Sequence, residues 1–308
     1  MSKFQRSWAL LKCSFRVIFE NKILLLFPLV LSLLMIVMAV FFLAPVVLWP
    51  TGHGLAEGAH WQAIARQWTI QGAGGRMLGL TPAGYALAAV FYLAATCLAT
   101  FVNVAFYSQI LNALRGHPVS VSAGLRLAWS RLGAIVAWSL FTGLVGLIIR
   151  KLEERVGLVG RWIIGLIGLA WSVASVFAVP IIVVGTEGAH PLRILRTSAA
   201  TLKKTWGESL LGYLGLQFGG LLVMLGSVVL FVVAVVLSIA METAWFIAIA
   251  AVVWFLGLIA FFCLLNVADQ VYRGALYLYA AEGTAPGPFD AEQMNAAWKM
   301  KSAGKPAG

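Results

Sequence analysis

Residues 23–48 read ILLLFPLVLSLLMIVMAVFFLAPVVL, twenty-six positions without a charge. A helix rises 1.5 Å per residue and a bilayer's hydrocarbon core is about 30 Å thick, so about 20 apolar residues make a span. This stretch is long enough, and it exceeds the roughly 7–15 residues of a cleavable signal's apolar region. It is therefore expected as a first transmembrane helix. Working outward from it, five more runs of the same kind follow, at 83–110, 133–149, 162–184, 209–240 and 245–268. The third is short. The fifth is long enough to tilt or to continue past the bilayer. Met241, Glu242, Thr243 and Ala244 are expected to form a tight turn between the last two.

The whole composition agrees. Hydrophobic residues make up 61% of the 308 and charged residues 11%, with a mean hydropathy of +0.93; a soluble domain runs near 45–50% and about 25%. A core this large with so little polar surface fits lipid as solvent. The fold class expected is all-α, a polytopic membrane helix bundle of about six transmembrane helices.

The net charge of +11 would suggest nucleic acid in a soluble protein. Here the basic residues flank apolar runs, as membrane anchors do, so the expected partners are the lipid bilayer and its anionic lipid headgroups, with no nucleic acid. Sixteen basic residues fall in the N-terminal segment, the 111–132 and 185–208 loops and the C-terminal segment; six fall on the opposite side. The richer side faces the cytoplasm by the positive-inside rule, which puts both termini there. The 150–161 loop is the awkward member, because Arg150, Lys151, Arg155 and Arg161 would face outward.

Three cytoplasmic segments each precede an outward span: Phe4 to Asn21, Val119 to Leu132 and Leu192 to Trp206. Their apolar residues recur at steps of three and four, with Trp8, Trp129 and Trp206 set against Lys and Arg, the pattern of an amphipathic helix lying in the headgroup layer. His117-Pro118 and His190-Pro191 stand before the second and third, and proline favours a first helical turn. The chain is thus expected as one membrane domain, 1–281, built from three repeats (1–110, 111–185, 186–281), each an interfacial helix plus a membrane hairpin. Residues 282–308 are expected as a flexible cytoplasmic tail. The alternative is that any loop re-entering a membrane tends to be basic and amphipathic.

Chemistry-bearing residues are sparse. None of the eleven acidic residues falls mid-span; Asp269 is nearest, and Arg273, four residues on, is placed to pair with it. Asn103, Gln109, Asn112, Gln217, Asn266 and Gln270 are the polar groups in or near spans. They could line a pathway or hydrogen-bond between helices. In the outer loop, His53, Glu57 and His60 would share one face of a helix and could hold zinc, but Gly52, Gly54 and Gly58 argue against a helix there. Trp49, Trp61 and Trp68 in that loop read as interface anchors. Pro28, Pro45 and Pro180 are expected to kink their spans, with Pro180 able to free a carbonyl. Gly143 with Gly146, Gly165 with Gly168, and Gly212, Gly215, Gly219 and Gly220 have small-residue spacing for close helix packing; Gly215 and Gly219 form a GxxxG. Cys13, Cys97 and Cys263 show no paired or metal spacing. No GxxxxGK[ST], HExxH or GxSxG occurs, and no cofactor or catalytic constellation is expected.

Several segments together carry a resemblance. Ser7-Trp8 through Leu24-Leu25-Leu26-Phe27-Pro28, Val179-Pro180 with the later Thr205-Trp206-Gly207-Glu208, Tyr272-Arg273-Gly274-Ala275-Leu276-Tyr277-Leu278-Tyr279-Ala280, and Phe289-Asp290 resemble an uncharacterised bacterial and archaeal multi-pass family, domain of unknown function 6159. The resemblance covers nearly the whole chain and implies a membrane fold. It brings no catalytic or ligand residues.

The residues point first to a non-enzymatic membrane subunit or scaffold that self-associates or binds a partner; the alternative is a channel or transporter for a small solute or lipid, and a lipid-active enzyme, with His53, Glu57 and His60 as its candidates, ranks last. The scarcity of buried carboxylates disfavours proton or sodium coupling. The expected location is the bacterial cytoplasmic (inner) membrane.

Overall fold

The computed structural model describes residues 3–72, 77–185, 187–205, 224–238, 244–283 and 285–289. Among the described residues the chain is helical, with one small hairpin. The helices are α1 (Lys3–Glu20), α2 (Leu26–Val47, preceded by a 3-10 turn Lys22–Leu25), α3 (Gly58–Trp68), α4 (Pro82–Leu114), α5 (Val121–Ser130), α6 (Leu132–Arg155), α7 (Leu158–Ala174), α8 (Ala178–Val184), α9 (Pro191–Thr205), α10 (Met224–Ser238) and α11 (Ala244–Glu282). Strands β1 (Thr69–Gln71) and β2 (Met77–Leu80) pair antiparallel, Thr69 opposite Leu80. Among the described residues five segments are long and apolar enough to cross a membrane: Lys22–Val47, Pro82–Leu114, Leu132–Arg155, Gly160–Val184 and Trp245–Glu282.

Local chemistry sets the boundaries. Asn21 (φ −127°, ψ 63°) ends α1, and its side-chain amide donates to the Val17 carbonyl at 3.1 Å. Thr81 caps α4 by accepting the Gly84 N–H at 3.3 Å, and Pro82 takes the first helical position, where its missing N–H costs nothing. At the other end of α4, Gly116 adopts φ +75°, and the His117 N–H turns back to Asn112 O at 2.8 Å.

Several expectations change. The outer loop 49–82 is not bare: it folds into α3 and the hairpin. Gly58 stands at the first position of α3, where a helix loses least by having glycine, so it does not block the helix. The 150–161 loop shrinks to a turn at Val156 and Gly157. Arg150, Lys151, Glu154 and Arg155 stay on α6, where Lys151 and Arg150 approach Glu154 at 3.2 and 4.0 Å. Such i, i+3 and i, i+4 pairs support a helix end, which explains why the third span is longer than its apolar run. The 162–184 span breaks at Ser175–Phe177, just before Pro180, so Pro180 sits in the first turn of the short α8 rather than at a kink. Pro28 likewise occupies the first turn of α2. Pro191 opens α9 as expected, but α5 begins three residues after Pro118. Of the expected fifth span, α10 is the described part; Gly212, Gly215, Gln217, Gly219 and Gly220 and the turn at 241–243 lie outside the described residues.

Helix α4 is central and packs against α2, α5, α6, α8 and α11. The buried core lies towards one end of the bundle. It takes in Val17 and Ile18 of α1, Val102 to Leu114 of α4, Phe177 to Val183 beside and within α8, and Val267 to Tyr279 of α11. The three short basic helices close this end. α5 packs on α4, α9 on α8, and α1 on α11. Each thus crosses the end of the preceding long helix, and the N-terminal one crosses the last. The crossings use small residues. A Cβ on Gly124 of α5 would stand 2.8 Å from the Ala105 carbonyl oxygen. Ser198 of α9 accepts the Phe177 N–H at 3.0 Å, satisfying a backbone donor at the α7–α8 break. Arg131 donates to Val184 O at 3.2 Å, at the C-terminal end of α8.

Away from this end the apolar surface is open. In α2 the single buried residue is Phe27. Leu33, Ile36, Val40 and Phe41 are all at least 60% exposed. Gly143 and Gly146 of α6 pack as small residues should, against Leu93 and Tyr92 of α4, whereas Gly165 and Gly168 of α7 face open space.

Candidate functional site

Where α2, α4 and α11 meet, a cavity of about 280 Å³ opens between them. Its apolar walls are Phe27, Pro28, Leu31, Val102 and Phe106, and its polar groups are Ser32, Asn103, Asn266 and Gln270. Phe27 and Phe106 stack at 5.2 Å and fix the α2–α4 side. On α11 the Gln270 amide donates to Asn266 Oδ1 at 2.9 Å. That bond leaves the Asn266 NH₂ group and the Gln270 carbonyl oxygen for another partner. Ser32 donates to its own helix at Pro28 O, 2.9 Å. Asn103 makes no side-chain hydrogen bond among the described residues. The lining carries no ionised group, so its chemistry is neutral donors and acceptors on an apolar frame.

The polar stripe continues along α11. Asp269 and Arg273, one turn on, form an ion pair at 2.8 Å with 14% and 29% of their side chains exposed. Further on, Arg115 at the end of α4 pairs with Glu282 at the end of α11. Glycine brings the two helices together: a Cβ on Gly274 would stand 2.8 Å from Ile110 Cγ2.

Of the polar residues singled out from the sequence, the structure brings Asn103, Asn266 and Gln270 to one cavity. Gln109 goes elsewhere. It is 1% exposed, accepts the Ser120 N–H at 2.9 Å and donates to Ser108 Oγ at 3.0 Å, tying α4 to the start of α5. Asp269 and Arg273 pair with each other beside the cavity rather than lining it. Ser32 joins Asn103, Asn266 and Gln270 without a sequence signal of its own, being a lone serine in an apolar run. One signal was there to read: Asn103-Val104-Ala105 recurs as Asn266-Val267-Ala268, and both asparagines line the cavity.

The outer histidines do not converge. His53 lies 3.4 Å from Glu57 on the exposed surface. His60 turns inward, 2% exposed, with its ring nitrogens 2.6 Å from Thr51 Oγ1 and 2.9 Å from Val47 O. Both of its nitrogens are engaged in pinning α3 to the end of α2. Among the described residues no group of three His, Cys, Asp or Glu is placed to hold a metal. His117 and His190 lie exposed in turns.

A family model matches residues 82–287, from the first residue of α4 to the segment after α11. The chain belongs to a family of unknown function (DUF6159). The DUF6159 match takes in Asn103, Asn266, Gln270 and the Asp269–Arg273 pair, while the α2 wall with Pro28 and Ser32 precedes it. No curated protein and no solved structure matches the chain.

Proposed function

We propose that this DUF6159 member is a six-span protein of the bacterial cytoplasmic membrane with both termini inside. In this reading it recognises a small polar solute or lipid group in the recess between α2, α4 and α11, as a channel or transporter does. The observation that carries it is the convergence of Ser32, Asn103, Asn266 and Gln270 on one cavity. The Asn103 amide and the spare Asn266 NH₂ and Gln270 carbonyl oxygen face apolar walls there, and polar groups left without a partner in such surroundings are costly.

The topology has its own support. The sixth span of this reading is the apolar run 209–240, of which α10 is the described part. Exposed Lys12, Arg16 and Phe19 on α1, Arg126 and Trp129 on α5, and Leu192, Arg193 and Arg196 on α9 suit helices lying in an anionic headgroup layer. A short basic helix ahead of a long apolar one at α1–α2 and α5–α6, and a third basic helix at α9, support the threefold repeat, as does the packing of α5 on α4, α9 on α8 and α1 on α11. Two measurements test the reading. In a background with Cys13, Cys97 and Cys263 replaced by Ser, Q62C on α3 is expected to react with an impermeant maleimide on intact cells, and S122C on α5 only after permeabilisation. Purified N103L/N266L is expected to lose small molecules or lipids that the parent retains in mass spectrometry; identical retained sets would remove the recess from function.

The scaffold reading has one observation in its favour, the open glycine face of Gly165 and Gly168 on α7. A monodisperse monomer in nanodiscs by light scattering would end it.

A further inference from the structure

The position of the recess along its three helices points to what it holds. Counting from the outer ends, Ser32 lies fifteen residues from Val47, Asn103 twenty-one from Pro82, and Asn266 twenty-two from Ala244. At 1.5 Å per residue those distances are about 23, 32 and 33 Å, against a hydrocarbon core about 30 Å thick. Helices α4 and α11 put their asparagines at the inner boundary of the hydrocarbon, and Ser32 of α2 falls about 7 Å short of it, on the hydrocarbon side. Exposure changes at the same level. Between Trp245 and Phe262 of α11 most large apolar side chains are exposed, Trp254 being stacked on Phe231 of α10, and Val267 and Ala268 begin the buried core.

We propose that the recess seats a glycerophospholipid of the cytoplasmic leaflet by its glycerol-ester region. This rests on the recess being a recognition site and names its ligand class. In a bilayer the glycerol and its ester carbonyls lie at this boundary. Ester carbonyls are neutral acceptors, and the Asn266 NH₂ and the Asn103 amide are neutral donors facing the same space. No cation lines the recess, so the phosphate lies outside it. Lys22 and Arg16, both exposed on the cytoplasmic side of Phe27, supply positive charge at that next level. Phe27, Leu31, Val102 and Phe106 give the walls an acyl chain needs as it leaves for the bilayer. The volume, about 280 Å³, is at the small end of ligand pockets, which run about 300–1,000 Å³; it suits the ester region of a lipid and not a whole lipid.

Native mass spectrometry of the full chain, delipidated in detergent and titrated with phosphatidylglycerol, tests this. The parent is expected to form a one-lipid adduct, N103L/N266L to reduce its occupancy at least fivefold, and a hundredfold excess of free glycerol to leave it unchanged. Equal adducts on parent and variant would overturn the proposal, since the lipid would then sit elsewhere. If the double variant loses its thermal transition, N103A and Q270A alone are read instead, with a twofold loss expected from each. A second arm separates the lipid from the recess itself. On S32C in the cysteine-free background, phosphatidylglycerol is expected to block a soluble maleimide. Protection by glycerol and none by lipid would overturn the lipid and leave a solute site; protection by neither would overturn both.

Discussion

The two halves of α11 are one unbroken helix in two environments. From Trp245 to Phe262 it is almost wholly apolar, and Trp245, Val252, Val253, Phe255 and Leu256 stand exposed. From Val267 to Tyr279 nearly every residue is buried, yet this half carries Asp269, Gln270 and Arg273. Helix α4 repeats the contrast, with exposed Tyr85 and Val90 at its start and Val104 to Leu111 buried near its end. In water the arrangement would be inverted, since polar groups belong outside. The first halves are thus long and apolar enough to have lipid as their solvent over the faces that α6 and α10 leave open. The second halves pack as a soluble core packs, under a roof of α1, α5 and α9. There polar side chains have walls to face, as Asn103, Asn266 and Gln270 do at the cavity.

Placing a charge in the lipid-facing half gives the largest expected effect. Val253→Arg should cost about 3 kcal/mol of membrane insertion, the scale for an arginine near a span's centre. An integration assay with a glycosylation reporter after the helix reads it. On a water-facing surface the same change would be neutral, so unimpaired integration would break the comparison outright.

Glycine sharpens it next, using two positions on the same helix. Gly274 meets Ile110 within 2.8 Å of an added Cβ, whereas Gly257 has nothing within 4 Å. Gly274→Leu is expected to destabilise by about 1–3 kcal/mol through overpacking, and Gly257→Leu to stay within about 0.5 kcal/mol. Denaturation of the purified proteins in one detergent compares them directly; equal midpoints would mean that the α4–α11 contact does not hold the fold.

Much of this contrast is legible in the sequence. The runs starting at Ile23, Ala83 and Trp245 mark spans, because lipid demands continuous apolar surface and leaves a plain signal. The three basic helices show through their periodicity. The end of α6 is illegible to an apolar count, since Arg150, Lys151 and Glu154 extend a helix by pairing with one another. The fold of the outer loop is hidden for a related reason. Its hydrogen bonds from His60 join residues nine and thirteen positions apart, and no local pattern encodes them. At the recess the separation is larger still. Asn103 and Asn266 are each visible as polar residues in apolar helices, but their meeting depends on Gly274 admitting Ile110 and on Phe27 stacking on Phe106. Composition could nominate the amides; it could not distinguish Asn103, which faces the cavity, from Gln109, which holds a loop.

An effect of one hydrogen bond concerns the break between α7 and α8, where the two environments adjoin. The Phe177 N–H donates to Ser198 Oγ at 3.0 Å, and both residues are fully buried. Ser198→Ala leaves that donor without its acceptor, a cost of about 1–3 kcal/mol where water is absent and near zero where water replaces the hydroxyl. Ser172, on the exposed part of α7, donates instead to Gly168 O within its own helix. That carbonyl can keep its backbone partner, so Ser172→Ala is expected to change stability by less than about 0.5 kcal/mol. Thermal unfolding of the two variants in nanodiscs separates the cases. A Ser198→Ala protein as stable as Ser172→Ala would mean that water reaches the break, and that the dry core stops short of α8.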